Sequence, residues 1–129
     1  MVIASSGAPR TVLVVDDEDD VRTIVAAMVS SFGYAVLQAN GGSEALRLLR
    51  SPASIDLMLT DLAMPVISGM DLAHLAVETR PQLKVVYMSA HVRSLEGNPA
   101  LRYGPLLTKP FRIDDLKAQL QERLGDPKA

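Results

Sequence analysis

Asp16, Asp17, Asp61, Ser89 and Lys109 each stand at or just past the end of a short apolar run. Three carboxylates brought together repel and raise one another's pKa, so a cluster of them calls for a cation. An all-oxygen set of this kind suits Mg²⁺ or Mn²⁺ rather than zinc. Mg²⁺ usually keeps one or two carboxylates, some waters and a phosphate oxygen, so the site invites a phosphoryl group. In that chemistry Asp61 is the nucleophile and forms an acyl phosphate. No general base is needed, because a carboxylate is already ionised near neutral pH. The metal and Lys109 neutralise charge on the transferring group, and the Ser89 hydroxyl holds another of its oxygens. Positioning and electrostatics then supply nearly all the catalysis. Taken alone, Asp61 reads as a turn cap, since Pro65 and Gly69 follow closely. Its companions decide between the two readings.

Those companions must be positioned by secondary structure. Thr11 to Val15 is a β-branched apolar run that reads as a buried strand. Val21, Ile24, Val25, Met28 and Phe32 then recur at helical spacing, and Gly33 ends that helix. Tyr34 to Gln38 is a second strand. A helix follows from Ser43, its expected N-cap, to Arg50, with Pro52 as a stop. Leu57 to Leu59 forms the third strand, which delivers Asp61. Ser68 and Asp71 have capping-box spacing for a helix reaching Arg80, with Leu72, Leu75 and Ala76 toward the core. Lys84 to Met88 is the fourth strand, ending at Ser89. Between His91 and Gly104 the residues Gly97, Asn98 and Pro99 allow at most a short or irregular helix. Leu106 to Thr108 is a short fifth strand before Lys109-Pro110. The last helix runs from about Ile113 to Leu124, with Ile113, Leu116, Leu120 and Leu124 on one face. His74 reads as a surface residue and His91 as a loop residue.

Five strands alternating with helices argue an α/β fold with a parallel sheet covered on both faces. Right-handed crossovers send every strand out toward one edge. Asp16 and Asp17, Asp61, Ser89 and Lys109 therefore converge by connectivity alone, where open α/β sheets bind ligands.

Composition sets the outer bounds. At 129 residues the chain reads as one domain over 11–124, with a loose arm at 1–10 and a tail at 125–129. A net charge of −2 and only 4% aromatic residues argue against nucleic-acid binding. The absence of cysteine excludes disulfides, thiolate catalysis and Cys-based metal sites. No run is long enough to span a membrane and no secretory signal is evident, so a soluble cytoplasmic protein is expected.

Four motifs now stand in one order and spacing: Val14-Val15-Asp16-Asp17-Glu18, Leu59-Thr60-Asp61-Leu62-Ala63-Met64-Pro65, Met88-Ser89-Ala90 and Thr108-Lys109-Pro110-Phe111. Each is weak alone; four in register are highly specific. The chain resembles a receiver domain of the two-component response regulators over about residues 11 to 124. That resemblance implies a doubly wound, flavodoxin-like sheet of order 2-1-3-4-5. It implies Mg²⁺ and a phosphohistidine donor, on a histidine kinase or a histidine phosphotransfer domain. By position, Asp61 resembles the phosphoacceptor, Asp17 the direct metal ligand and Asp16 a second acid acting largely through water. Ala63 resembles the position that lends a backbone carbonyl to the metal. Ser89 and Lys109 resemble the switch hydroxyl and the phosphate-binding lysine. The Lys109-Pro110 bond is often cis in such relatives.

Two departures stand out. Leu106 occupies the position, three before the lysine, where the family frequently carries Tyr or Phe. An aromatic rotamer switch is absent there, and readout is expected through shifts between Ser89 and Gly104. That same stretch resembles receivers attached to hybrid histidine kinases more than those of DNA-binding regulators. The expected role is a phosphoacceptor module without turnover of an external substrate, relaying to a partner of unknown identity. One rival is a phosphorylation-independent interaction module. The other is a Mg²⁺-dependent phosphatase of the haloacid-dehalogenase kind, which wants an acid where Ala63 stands.

Overall fold

The computed structural model describes residues 9–90 and 97–127. In chain order the elements are β1 (Thr11–Val15), α1 (Asp19–Ser31), β2 (Ala35–Ala39), α2 (Gly42–Leu49), β3 (Leu57–Asp61), α3 (Gly69–Thr79), β4 (Lys84–Ser89), β5 (Leu106–Thr108) and α4 (Ile113–Leu124). A short 3₁₀ turn at Pro99–Leu101 interrupts the connection from β4 to β5. All strand pairs are parallel, in the order β2-β1-β3-β4-β5. This is the expected doubly wound architecture.

The strands are apolar throughout because both faces are covered. Leu13, Val15, Met58, Val85 and Tyr87 point to one face, against Ala45, Leu46 and Leu49 of α2 and Leu72, Ala73 and Ala76 of α3. Val12, Val14, Leu57, Leu59, Val86 and Met88 point to the other, against Val25 and Val29 of α1 and Leu116, Leu120 and Leu124 of α4. The two layers fix the register, since a slip of one residue would exchange the faces.

Some helix details differ from expectation. In α1 the buried stripe is Val25, Ala26 and Val29, while Ile24 is 57% exposed. Ile113 likewise faces solvent rather than the core. Leu75 is only partly buried, and Ala73 takes the inward place. Helix α2 begins at Gly42 with Gly41 as N-cap and no side-chain cap, so Ser43 lies inside the first turn. There the Glu44 carboxylate instead accepts from the Asn40 N–H at 2.8 Å. The Ser68 cap of α3 is as expected, its hydroxyl accepting from the Asp71 N–H at 3.2 Å. Gly33 closes α1 with φ +102°, a left-handed conformation natural to glycine.

The ends of the described chain meet. The Arg10 N–H donates to the Pro127 carbonyl at 2.7 Å, and the Tyr34 hydroxyl donates to the Gly125 carbonyl at 2.8 Å. Among the described residues no helix is long and apolar enough to cross a membrane.

Candidate functional site

Strand ends build the site. Asp16 and Asp17 follow β1, Asp61 ends β3, Ser89 ends β4 and Lys109 follows β5. One carboxylate oxygen from each of Asp16, Asp17 and Asp61 lies within 4.8 Å of the others. The Lys109 ammonium sits between two of them, 3.1 Å from Asp16 Oδ2 and 3.0 Å from Asp61 Oδ1. Asp16 is fully buried and Asp61 nearly so, whereas Asp17 is exposed. Ser89 is buried beside them, opposite Thr108 in the ladder, and its carbonyl accepts from the Lys109 N–H at 2.8 Å. Ala63 lies in the exposed loop two residues beyond Asp61. The Lys109-Pro110 bond is cis. His91 lies outside the described residues.

Electrostatics follow from this packing. Burial pushes the Asp61 carboxyl up, Lys109 opposes this, and the Asp16 and Asp17 charges add to the rise. For Lys109 burial favours the neutral amine, yet hydrogen bonds and charge from Asp61 and Asp16 together outweigh it and raise its pKa. Lys109 therefore stays protonated at neutral pH. One ammonium among three carboxylates leaves the cluster short of positive charge. Asp17, with no hydrogen bond or ion pair among the described residues, is the least compensated. The set is all oxygen, hard and electron-rich, which fits Mg²⁺ and not a soft metal.

Supporting residues escaped the sequence reading. Arg22 reaches back from α1 to donate to the Asp16 carbonyl at 2.8 Å, and it pairs with Asp19 at 2.6 Å. Asp16 Oδ1 accepts from the Glu18 N–H at 3.0 Å, which tightens the turn. Thr60, fully buried, donates its hydroxyl to the Asp61 carbonyl. Gly69 is needed for space: a Cβ there would collide with the Asp61 carbonyl oxygen and the Leu62 Cα. Glycine thus lets α3 begin directly against the strand that carries Asp61. Beside the cluster, Val21, Ile24, Val25 and Met28 of α1 with Pro110 and Phe111 line an apolar groove of about 370 Å³, and Lys109 forms part of its wall. Leu106 starts β5 opposite Tyr87 and packs against the core.

Residues 12–121 match the response regulator receiver domain family. The chain belongs to that family. The receiver is 32% identical over 118 residues to the response regulator receiver protein CpdR of Brucella abortus, covering 89% of this chain and 97% of that protein. It is 32% identical over 117 residues to the sensor kinase CckA of Brucella abortus, covering 88% of this chain but 12% of the kinase. The response regulator TrrA of Thermotoga maritima, solved in complex with Mg²⁺–BeF, superposes with TM-score 0.82 at 28% identity, over 89% of this chain and 99% of that one. The receiver domain of the hybrid histidine kinase CckA superposes with TM-score 0.74 at 32% identity, over 88% and 98%. The protein is a receiver domain of two-component signal transduction.

Proposed function

We propose that Asp61 accepts a phosphoryl group from a phosphohistidine on a histidine kinase or histidine phosphotransfer domain, in a reaction that requires Mg²⁺. The observation that carries this reading is the Lys109 ammonium held between Asp16 and Asp61 beside the exposed carboxylate of Asp17. Asp17, Asp61, Asp16 and the Ala63 carbonyl would hold the ion, and Mn²⁺ shares the same preference for hard oxygens. Bound there, the metal supplies charge neutralisation for the acids and the incoming phosphoryl oxygens. TrrA, solved with Mg²⁺–BeF, lends this support.

The chain's own groups do the rest. An Asp61 carboxylate oxygen attacks phosphorus, and the phosphorus–nitrogen bond of the donor breaks. Its electron pair stays on the imidazole nitrogen, which takes up a proton. Lys109 follows the developing charge from Asp61 onto the phosphoryl oxygens, and the Ser89 hydroxyl donates to one of them. The groove beside Lys109 is apolar and opens onto the site, so it suits a helix that presents the phosphohistidine. The domain takes and passes on one phosphoryl group and turns over no external substrate.

Phosphotransfer from candidate kinases, read by the mass of the Asp61 adduct, tests this. The natural chain should gain one phosphoryl group with Mg²⁺ and none in EDTA, and Asp61→Asn should gain none. Uptake by Asp61→Asn would end the reading. Failure of the natural chain to respond to any phosphodonor or to beryllofluoride would favour a phosphorylation-independent interaction module.

A further inference from the structure

At the amino end of the sheet, opposite Asp61, lies a cavity of about 620 Å³. Four cations line it: Arg10 before β1, Arg80 after α3, Lys84 at the start of β4 and Arg123 near the end of α4. One carboxylate shares the lining, Asp56, and one of its oxygens already accepts from the Thr11 N–H at 2.8 Å. Asp126 acts on the Tyr34 hydroxyl from outside this lining. The chain as a whole carries −2, so this concentration of positive charge is local and runs against the average.

The four cations are not equivalent. Arg80 is held in place: its Nε donates to the Leu49 carbonyl at 2.8 Å and its Nη2 to the Ser51 carbonyl at 2.9 Å. Both partners are neutral, so its charge remains uncompensated. The side chains of Arg10, Lys84 and Arg123 make no hydrogen bond or ion pair among the described residues. A fixed guanidinium flanked by three uncommitted cations, with Asp56 the one carboxylate in the lining, leaves a local excess of positive charge that an entering anion balances. The volume is far larger than one phosphate needs and falls in the range of small-ligand sites.

We propose that this cavity is an anion site for oligophosphate: a chain of linked phosphates, either inorganic or carried as the tail of a nucleotide. Three linked phosphates bring more negative charge and more oxygens to the four lining cations than a single phosphate does. Arg80, the fixed cation, orients the first phosphate, and Arg10, Lys84 and Arg123 close over the rest. The site is independent of Asp61, because β3 alone spans about 16 Å between the two ends of the sheet.

Titration of the ¹⁵N-labelled full chain in EDTA with tripolyphosphate, ATP and inorganic phosphate tests the proposal. Saturable amide shifts are expected around residues 10, 56, 80–84 and 123–124. The triphosphates should bind at least tenfold tighter than phosphate, and the affinity should fall as salt rises. Tripolyphosphate and ATP binding alike marks a site that reads phosphates only; tighter ATP binding marks a nucleotide site. Lys84→Gln with Arg123→Gln should weaken binding tenfold or more, since both side chains are exposed and bond to nothing the fold needs. Asp61→Asn should bind as the natural chain does. Shifts confined to the Asp16, Asp61 and Lys109 region, shifts that never saturate, or equal affinity in the double variant would overturn the proposal.

Discussion

Asp17 is the exposed acid in a cluster that has one ammonium for three carboxylates. Without metal its charge works against the fold, and on the proposed reading it becomes a ligand once metal is bound. Asp17→Asn should therefore be more stable than the natural chain in EDTA, by about 0.5–1 kcal/mol. The natural chain should gain about 2.7 kcal/mol at Mg²⁺ a hundredfold above its dissociation constant, and the variant almost nothing. Urea melts with and without Mg²⁺ check both, and an equal Mg²⁺ gain in the variant would remove Asp17 from the ligand set. Tyr87 shows the opposite economy. It is fully buried, and its hydroxyl lies near the Tyr103 backbone without a well-formed hydrogen bond. Burial pushes its pKa up to about 12 from the usual 10.0. The folded state thus holds the proton more tightly than the unfolded one, so the contribution is intact below pH 10. It is lost as pH rises from there toward 12, at a cost of about 3 kcal/mol. Tyr87→Phe should remove that alkaline loss and stay within about 1 kcal/mol of the natural stability at pH 7, because no good hydrogen bond is broken. Denaturant melts at pH 7 and pH 11 decide it. At this scale the sequence was highly legible for Asp16, Asp17, Asp61, Ser89 and Lys109, because strand ends converge by connectivity. It was silent on Arg22 and Thr60, whose roles rest on backbone carbonyls that carry no residue signature.

Elements decide how firmly Asp61 is held. Helix α3 starts against the Asp61 carbonyl only because Gly69 has no side chain. Gly69→Ala should cost about 2–3 kcal/mol by forcing the two backbones apart. It should also slow phosphoryl uptake in the fraction that remains folded; melts and acetyl phosphate kinetics measure the two effects. On the other side, α1 turns Ile24 outward into the groove beside Lys109. Ile24→Asp should slow transfer from a phosphohistidine protein tenfold or more while leaving uptake from acetyl phosphate unchanged. Equal slowing of both would place the fault in the site and not in the docking of the donor. Periodicity puts Ile24 on one face with Val21, Val25 and Met28, and these four do line one groove, but it does not show that Ile24 lies off the core. Helix α1 is apolar over a stripe wide enough to serve two surfaces, and spacing cannot tell which edge meets the sheet. The same holds for Ile113, a first-turn residue beyond the edge of the core. Ser43 was misread because a serine before a helical run signals a cap, whereas here the backbone at Gly41 and the Glu44 side chain serve the helix start. Val66 is another residue that spacing could not place: it stands 97% exposed in a left-handed conformation, in the loop between Asp61 and α3.

Across the whole molecule the two ends of the sheet differ in charge. Acids gather at the carboxyl ends of the strands and cations at the amino ends. No Lys/Arg cluster exists in the sequence, because Arg10, Arg80, Lys84 and Arg123 come from distant segments. Only the strand order brings them together, so the sequence alone does not show that pole. The carboxylate pole could be read earlier, because its residues sit in motifs and the right-handed crossover dictates where they go.

The hydrogen bond between Arg10 and Pro127 has a topological consequence. A polypeptide whose first strand leads in where its last helix leads out is almost a ring. Joining the two ends through a short glycine-rich linker and opening the chain between Pro52 and Ala53 should give a circular permutant with the same sheet order. That permutant should take up one phosphoryl group on Asp61 as the natural chain does, as intact mass would report. The point of attachment to anything else can then move among the loops at the amino ends of the strands, and the pole that carries Asp61 faces away from each of them.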